Sequence, residues 1–436
     1  MNRIFSLLTF ISIITISNAQ NLSSSPYSGF GLGEPQFDQN IVLSSMAGIS
    51  STYISEIGNE VNFSNPAANQ NLNFTTFNVG FNNTFSSLKA NNLSEKNSVS
   101  YISDISLGFA LSEKFKFGLG FQPFSTVGYD VSRIDSLKQA DDKYILNSNN
   151  FKGEGGLNSL HSFVSYTLKP NLSVGLRVNY IFGNVSKDHE INNFEYNYIT
   201  NNYEKKDLVT GYETDVNIAT YNFTTGITYK MKVKENHNLT LGGTFGFGFD
   251  ANSDFNYLKS TYYYNSFGTK SNVDTLSFGT NKGKLSLPKN FSLGVAYGKT
   301  LKWNAAFDFK WTEGVDYTFP NEKGIFQNNY KVAVGGWIIP NINSYKSYFD
   351  KIIYRGGFYY QSGALEVNSK DISQIGLTLG IGLPIAKRGQ APSYINLGVE
   401  FGRQGTKSDN LIQEDFMKFK IGINLNDIWF RKRKFN

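Results

Sequence analysis

Side chains that could perform acid–base or nucleophilic chemistry are few and scattered in this sequence. The 436-residue chain contains three histidines, His161, His189 and His237, and no cysteine. Ser162 follows His161 directly, but neighbouring residues of a strand point to opposite faces, so the two cannot act as nucleophile and base. The lack of cysteine excludes disulfides, thiol catalysis and thiolate metal sites. The sequence therefore predicts a protein that is not an enzyme.

Signatures of metal and phosphate sites are also missing. No His, Asp and Glu cluster has metal-ligand spacing, and the glycine-rich stretches at Gly118–Phe121 and Gly380–Pro384 lack the helix and the Lys-Ser/Thr of a phosphate loop. One long link carries acidic residues that could bind a cation weakly or simply be solvated, namely Asp130, Asp135, Asp141 and Asp142. We predict no metal site and no cofactor.

Residues 416–425 show the pattern that positions the remaining candidate residues. Lys418 and Lys420 alternate there with a row of apolar side chains, Met417, Phe419, Ile421, Ile423 and Leu425. A period of two indicates a β-strand with one apolar and one polar face. The same alternation recurs from residue 73 onward, so the predicted fold class is all-β.

The first nineteen residues predict a secretory signal. Arg3 supplies the positive start, residues 4–16 form the apolar core, and Ser17–Ala19 is a small-residue cleavage site. After residue 19 no run of eighteen apolar residues occurs, so we expect no transmembrane helix. An exported chain of alternating strands is then either a soluble β-protein or an outer-membrane barrel.

The spacing of the turns favours the barrel. Short polar turns alternate with longer Asn/Ser/Lys-rich links between fourteen predicted strands, as periplasmic turns alternate with extracellular loops in outer-membrane barrels. The even number of strands predicts that both chain ends are periplasmic. Pro288 interrupts the eighth strand, whose outer part we predict to be a hairpin above the membrane. Closure would remove the exposed sheet edge, so we predict a transmembrane antiparallel β-barrel of about 14 strands in the bacterial outer membrane.

Two tryptophans predict where this barrel meets the two membrane interfaces. Trp303 and Trp311 fall on one face of a predicted strand. Eight residues at ~3.3 Å each separate them by about 26 Å along the strand, or near 20 Å once the strand tilts. A lipid-facing band is about 25 Å tall and edged by aromatic residues. We therefore predict that both tryptophans belong to the aromatic girdles.

The opposite face of the strands is small and polar, which predicts that it lines the lumen. Its glycines would let another segment approach the wall closely. Arg355, Glu400, Lys418 and Lys420 fall on this face of the eleventh, thirteenth and fourteenth predicted strands, which lie close together in a closed barrel. They could form a salt-bridge network that anchors a lumen segment, or remain independent hydrated charges.

Residues 20–72 differ from the rest of the chain because their alternation is poor and prolines interrupt them. The segment contains many aromatic residues for a solvated tail, and one short helix is predicted around residues 41–48. We predict that it packs inside the barrel as a plug. The predicted domains are therefore a signal at 1–19, a plug at 20–72, a barrel at 73–430 and a basic periplasmic tail at 431–436.

Several short motifs, in this order, resemble the FadL-like outer-membrane barrels of the hydrocarbon and long-chain fatty-acid transporter type, in the variant common in Bacteroidota. The motifs are Asn65–Ala68, Gly118–Phe121 with Pro123, Leu287–Pro288, Gly380–Pro384 and the ending Leu425–Phe430. The resemblance implies a 14-stranded barrel with Asn65, Pro66 and Ala67 in a lumen plug. It also implies that an apolar ligand passes a plug-gated pocket and leaves sideways through a kinked strand.

Two functions follow from this resemblance. The first is passive uptake of a small hydrophobic molecule across the outer membrane. The alternative is a structural or accessory subunit of a complex for outer-membrane protein export or barrel assembly, with long turns at 340–351 and 385–393 as contact surfaces. The expected surroundings are outer-membrane lipid and lipopolysaccharide. A net charge of +6 is too weak and diffuse to indicate nucleic acid.

Overall fold

The computed structural model describes residues 25–36, 40–90, 93–138, 144–197, 199–319, 322–385 and 391–428. The predicted signal at 1–19, the tail at 431–436 and the last residues of the ending motif lie outside these ranges. Within them, fourteen long strands form one closed antiparallel barrel. The predicted all-β class and strand number are therefore confirmed.

The first seven barrel strands include the longest ones. They are β1 (Thr75–Ala90), β2 (Leu93–Ala110), β3 (Phe115–Lys138), β4 (Tyr144–Lys169), β5 (Leu172–Asn197), β6 (Asn202–Lys234) and β7 (His237–Gly246 and Phe249–Tyr264). The longest of them extend well beyond the ten residues or so that cross a membrane as a tilted strand.

The second seven strands are mostly shorter. They are β8 (Lys270–Leu287 and Asn290–Lys299), β9 (Trp303–Thr312), β10 (Asn329–Ile338), β11 (Ile353–Gln361), β12 (Gln374–Pro384), β13 (Tyr394–Gln404) and β14 (Gln413–Asp427). Strand β14 returns to β1, with a register from Thr75 opposite Asp427 to Lys89 opposite Gln413. This pairing closes the cylinder.

The alternation in the sequence becomes an apolar outside and a polar inside. On β14, Phe419, Ile421 and Leu425 are exposed on the outer face, whereas Lys420 and Asn424 are buried on the inner face. Removing so much apolar surface from water is favourable, and on this barrel only lipid can do it. Among the described residues, no helix is both long and apolar enough to cross a bilayer.

The two ends of the barrel differ. The short-turn end carries the turns between β2 and β3, between β4 and β5, and between β6 and β7. Thr75 and Asp427, the first and last residues of the barrel strands, also lie at this end. At the opposite, long-hairpin end, the ladders of β7 and β8 are interrupted, and Phe249–Tyr264 pairs with Lys270–Leu287 in a protruding hairpin. Pro288 lies at this interruption, as the sequence predicted, because proline has no amide hydrogen to donate.

Residues 25–36 and 40–72, which we call the N-terminal segment, run through the lumen from one end of the barrel to the other. At the long-hairpin end, Tyr27 Oη donates to the carbonyl of Ile412 at 2.6 Å. The segment then forms the short helix α1 (Ile41–Ser44), within the stretch predicted to be helical, and a 3-10 helix at Pro66–Asn69. That second helix lies near the short-turn end, where Ser165 Oγ donates to the Ala67 carbonyl at 3.4 Å.

The path of this segment bears on one prediction. Both chain ends were expected on the same, periplasmic side; the chain before residue 25 lies outside the described ranges, so this stays a prediction. Asp427 pairs with Thr75 at the short-turn end, but Ser25 and Tyr27 lie at the long-hairpin end. The even strand number fixes only the ends of the barrel, and residues 25–72 then cross the full length of the lumen before β1 begins. The described start and end of the chain are therefore on opposite sides.

A second hairpin fills the lumen at the long-hairpin end. Strands Val315–Phe319 and Glu322–Phe326 pair with each other, within residues 313–328, one of the longer polar links between the predicted strands. Tyr317 is buried in an apolar cluster of inward-facing residues from the long strands, which includes Val127, Ile181 and Phe255. Phe326 packs on the edge of the same cluster. The inner face of the long strands is therefore apolar at this end.

Gly242 offers a test of this packing. A Cβ at Gly242 would lie 1.9 Å from the main-chain oxygen of Ser51, whereas a Cβ at the outward-facing Gly243 would have its nearest neighbour at 3.3 Å. We expect Gly242→Ala to displace residues 50–52 from the wall and to cost about 1–3 kcal/mol of stability. Gly243→Ala is the matched control. Proteolysis of the folded barrel should cut residues 40–72 faster only in Gly242→Ala, and equal rates would contradict this packing.

Candidate functional site

The predicted plug residues lie against the inner wall near the short-turn end. Asn65 caps the helix that follows it, since its Oδ1 accepts a hydrogen bond from the amide of Ala67 at 3.1 Å. Its Nδ2 donates to the carbonyl of Ser51 at 2.6 Å and to that of Ile227 on β6 at 3.3 Å. Asn65, Pro66 and Ala67 are all buried.

Wall glycines make this approach possible, as the sequence predicted. A Cβ at Gly226 would lie 2.2 Å from Asn65 Oδ1, and a Cβ at Gly175 would lie 2.5 Å from the main chain of Pro66. Any larger residue at either position would push the helix away from the wall. Small inward-facing residues therefore set how deep the segment can sit.

Two polar wall residues bind the main chain of the segment directly. Asp308 on β9 accepts hydrogen bonds from the amides of Ser50 and Ser51 at 2.7 and 2.8 Å. Thr378 on β12 accepts one from the amide of Ala47 at 2.8 Å. The carboxylate bonds are charge-assisted and so stronger than neutral ones. Alternation had placed Asp308 on the lumen face, but nothing in the sequence indicated which main-chain groups would meet it.

Three of the four predicted lumen charges come together. Lys420 Nζ lies 2.6 Å from Glu400 Oε2, and both side chains are less than a tenth exposed. Lys418 is paired with Glu400 in the β13–β14 ladder and holds its ammonium group 4.7 Å from the centre of the Phe416 ring. Tyr359 Oη donates to Glu400 Oε1 at 2.7 Å, a contact that the sequence did not indicate.

Arg355, the fourth predicted member, belongs to another group of side chains. It lies on the same strand as Tyr359 but four residues nearer the short-turn end, and its Nη1 donates to Asn396 at 2.9 Å. There it lines a cavity of about 20 Å³ together with Tyr53 and Glu60 of the N-terminal segment. Arg355 is separate from the other three charges because residues on neighbouring strands can lie at different heights along the barrel axis.

An opening in the wall lies between β2 and β3. Their ladder covers only Ile105–Ala110 and Lys116–Phe121, although both strands continue towards the long-hairpin end. Pro123 follows at once, and the register of β3 against β4 shifts between Pro123 and Ser125. Because proline cannot donate to a ladder and a bulge bends its strand, β3 separates from β2 at this point.

The N-terminal segment takes the place of β2 beside the separated part of β3. Glu34 and Pro35 pair with Thr126 and Ser125. The amide of Gln36 donates to the carbonyl of Phe124 at 2.9 Å. The segment thus occupies the edge of β3 over the first residues beyond its ladder with β2.

A polar chamber lies behind this opening. The cavity has a volume of about 120 Å³ and is lined by the three clustered charges and by groups from β1, β2 and the N-terminal segment. Tyr101 and Ser103 of β2 and Pro123 of β3 form its side next to the opening. Lys331 also faces the chamber, with its ammonium group 4.3 Å from the centre of the Tyr359 ring.

The remaining singled-out residues lie outside the chamber. Trp303 and Trp311 lie at opposite ends of β9 on its outer face, next to the rings of Tyr297 and Phe291 at 5.8 and 5.5 Å. Their role in the two girdles stays a prediction. His161 faces inward with its ring 4.2 Å from that of Phe63. In the described part of the chain, no three carboxylate or imidazole side chains are grouped as metal ligands are.

The buried ion pair supports a double-mutant test. We expect Glu400→Gln to destabilise the barrel by about 3 kcal/mol, because it leaves the ammonium group of Lys420 buried without its carboxylate. Adding Lys420→Met should recover most of the loss, since the pair is then replaced by neutral groups. Urea unfolding followed by gel mobility measures both variants. A double variant as unstable as the single one would contradict this pairing.

Solved structures show the same architecture. A FadL homologue of Pseudomonas aeruginosa aligns with a TM-score of 0.60 at 14% identity, covering 90% of this chain and 99% of that one. The toluene transporter TodX of Pseudomonas putida aligns at 0.52 and 15% identity, covering 91% and 99%. The monoaromatic hydrocarbon channel CymD aligns at 0.54 and 13% identity, covering 91% and 98%. At such identities the likeness concerns the fold, and the predicted FadL-like architecture is confirmed.

Sequence comparisons are more specific. A search of curated proteins finds no match. The model of the BamG family, in contrast, matches residues 1–436, from the first residue to the last. The chain therefore belongs to the BamG family.

Proposed function

We propose that this protein is an accessory subunit of an outer-membrane complex for protein assembly, and that residues 20–72 act as a fixed filling of its lumen. The short-turn end would face the periplasm. The observation that carries the proposal is the chemistry of the lumen, in which buried hydrogen bonds hold the segment and charged groups line the remaining space. This assigns the second of the two functions drawn from the sequence.

The attachment of the segment supports this role. Its contacts reach β6 through Asn65, β9 through Asp308 and β12 through Thr378, on separated parts of the wall. Each hydrogen bond contributes about 1 kcal/mol, and those to the carboxylate more. A path for a ligand along the axis would require all of them to break together. A scaffold that must keep its shape gains from the same contacts.

The polarity of the chamber argues in the same direction. Pockets for small apolar ligands are usually about 300–1,000 Å³ and lined mainly by hydrophobic side chains. This chamber is about 120 Å³ and contains the Glu400–Lys420 pair, with Lys418 beside it. A hydrocarbon placed there would strip water from these charges without replacing their hydrogen bonds, which is unfavourable. The family name BamG also points towards assembly of outer-membrane proteins.

Passive uptake of a small hydrophobic molecule is the second candidate. The opening between β2 and β3 supports it, because an apolar ligand could leave there into the membrane. The structurally similar proteins, which include a toluene transporter and a monoaromatic hydrocarbon channel, support it as well. For this route the N-terminal segment would have to act as a gate. Under either function, it stays a prediction that this protein is the variant common in Bacteroidota.

Purification in mild detergent tests the accessory role. With an affinity tag after residue 436, we expect the protein to be recovered with other outer-membrane proteins in fixed stoichiometry, measured by light scattering and quantitative mass spectrometry. Deletion of the gene should lower the amounts of other barrels in the outer membrane. A single, monodisperse barrel together with an unchanged outer-membrane proteome would contradict the proposal.

Uptake assays separate the two candidates. We expect cells without the gene to take up labelled toluene and long-chain fatty acids at the wild-type rate, because the polar chamber gives such molecules no favourable site. Cells that express the Asp308→Asn variant, whose N-terminal segment is held less firmly, serve as a second measurement. Uptake that falls on deletion and rises in Asp308→Asn would support the hydrophobic channel instead.

A further inference from the structure

One strand of the barrel has an unpaired edge at the wall opening. Residues Leu93–Ile102 and Asp104 of β2 pair with β1, with a register shift at Ser103, but the ladder to β3 begins only at Ile105. Within the described residues, no other main-chain group pairs with Leu93–Asp104, and one of its carbonyls, that of Lys96, faces the Asn97 side-chain amide at 3.0 Å. Every second N–H and C=O group of this stretch therefore points into the opening.

The facing edge of β3, in contrast, has hydrogen-bonding partners. There the N-terminal segment supplies the missing partners: Gln36 binds Phe124, and the Ser28 hydroxyl exchanges hydrogen bonds with the main chain of Gly128 at 3.0 and 3.1 Å. Towards β2, this part of the segment makes a side-chain hydrogen bond, in which Tyr101 Oη donates to Gln36 Oε1 at 3.2 Å. The two edges of one opening are thus unequal.

The outer face beside the unpaired edge carries a cluster of three polar side chains. Asn83 on β1 lies between the exposed Phe81 and Phe85, and faces outward with them. Its Nδ2 donates to the hydroxyls of Ser98 and Ser100 on β2, while its Oδ1 is buried without a hydrogen-bond partner. In lipid, this acceptor and these hydroxyls would have no water to satisfy them.

We propose that an extended segment of a partner polypeptide pairs with the edge of β2 at Leu93–Asp104 and covers Asn83, Ser98 and Ser100. This inference rests on the accessory role proposed above and names the surface through which it is exercised. A strand added to β2 would satisfy the unpaired main-chain groups. It would also place its own outward side chains directly beside Ser98 and Ser100, within about 4.5–5.5 Å.

The chemistry favours a polypeptide over lipid or a small ligand. Acyl chains can cover Phe81 and Phe85, but they offer no hydrogen bonds to the edge or to Asn83. A small apolar molecule in transit has the same limitation. A β-strand supplies alternating donors and acceptors at the spacing that the edge presents. Unprotected edges also invite unwanted association, so a free edge of this length is best explained by a regular occupant.

Hydrogen exchange on the native complex tests the pairing. The complex is purified through a tag after residue 436, and the same protein is measured after release of its partners in a harsher detergent. We expect amides in Leu93–Val99 to exchange at least about tenfold more slowly in the complex, because pairing protects them. The fully laddered stretch Ile375–Leu383 of β12 is the internal control and should not change.

The outcomes separate this surface from the role itself. A complex in which residues 93–99 exchange as fast as in the lone barrel would overturn the proposed surface and leave the accessory role standing. Failure to recover any complex would count against the accessory role as well. Protection that includes residues 93–99 and stays within Leu93–Asp104 would support both.

A matched pair of variants provides the second measurement. Ser98→Val with Ser100→Val makes the patch lipid-like without disturbing a strand, and we expect at least about a tenfold loss of co-purified partner. Thr225→Val removes an exposed hydroxyl from β6 and should leave the complex intact. Gel mobility before and after heating checks that each barrel is folded. A folded double variant that retains its partner would contradict the proposal.

Discussion

A strand that crosses a bilayer must pair its main-chain N–H and C=O groups on both sides, because lipid provides no substitute. In this protein the requirement is met by closing β14 onto β1 and by unbroken ladders around almost the whole wall. The exception begins at Pro123, where β3 leaves β2. The course of the N-terminal segment, the position of the chamber and the unpaired edge of β2 all depend on this one departure.

Closure also creates an interior that has to be filled. The inward face beside residues 40–72 consists mainly of small and polar residues, and apolar side chains of the segment such as Met46 pack on its alanines. Main-chain groups of residues 40–72 also bind side chains such as Asp308 and Thr378, while glycines such as Gly242 give the segment room. At the long-hairpin end the inward face becomes apolar, and Tyr317 of the inserted hairpin packs there. The filling of the lumen therefore changes in character along the barrel axis.

The sequence predicted the parts of this structure that depend on local periodicity. Alternation located fourteen strands and placed Glu400, Lys418 and Lys420 on one inner surface, and Pro288 marked the break in β8. It could not place Arg355, because the height of a side chain depends on strand tilt and stagger, which alternation does not encode. The hairpin at 315–326 was missed for a related reason. Its strands are short, and Tyr317 is buried by distant residues that no local pattern connects to it.

The likeness to hydrocarbon channels and the chemistry of the lumen lead in different directions, and the lumen is the better guide to function. A fold can host unrelated activities, because function resides in the side chains that a site presents. Here the barrel keeps the architecture of those channels, and it has an opening beside Pro123. Its chamber, however, contains the buried Glu400–Lys420 pair, and its N-terminal segment is fixed to β6, β9 and β12. An opening without an apolar pathway behind it serves a ligand poorly, but its unpaired edge and polar rim suit another chain.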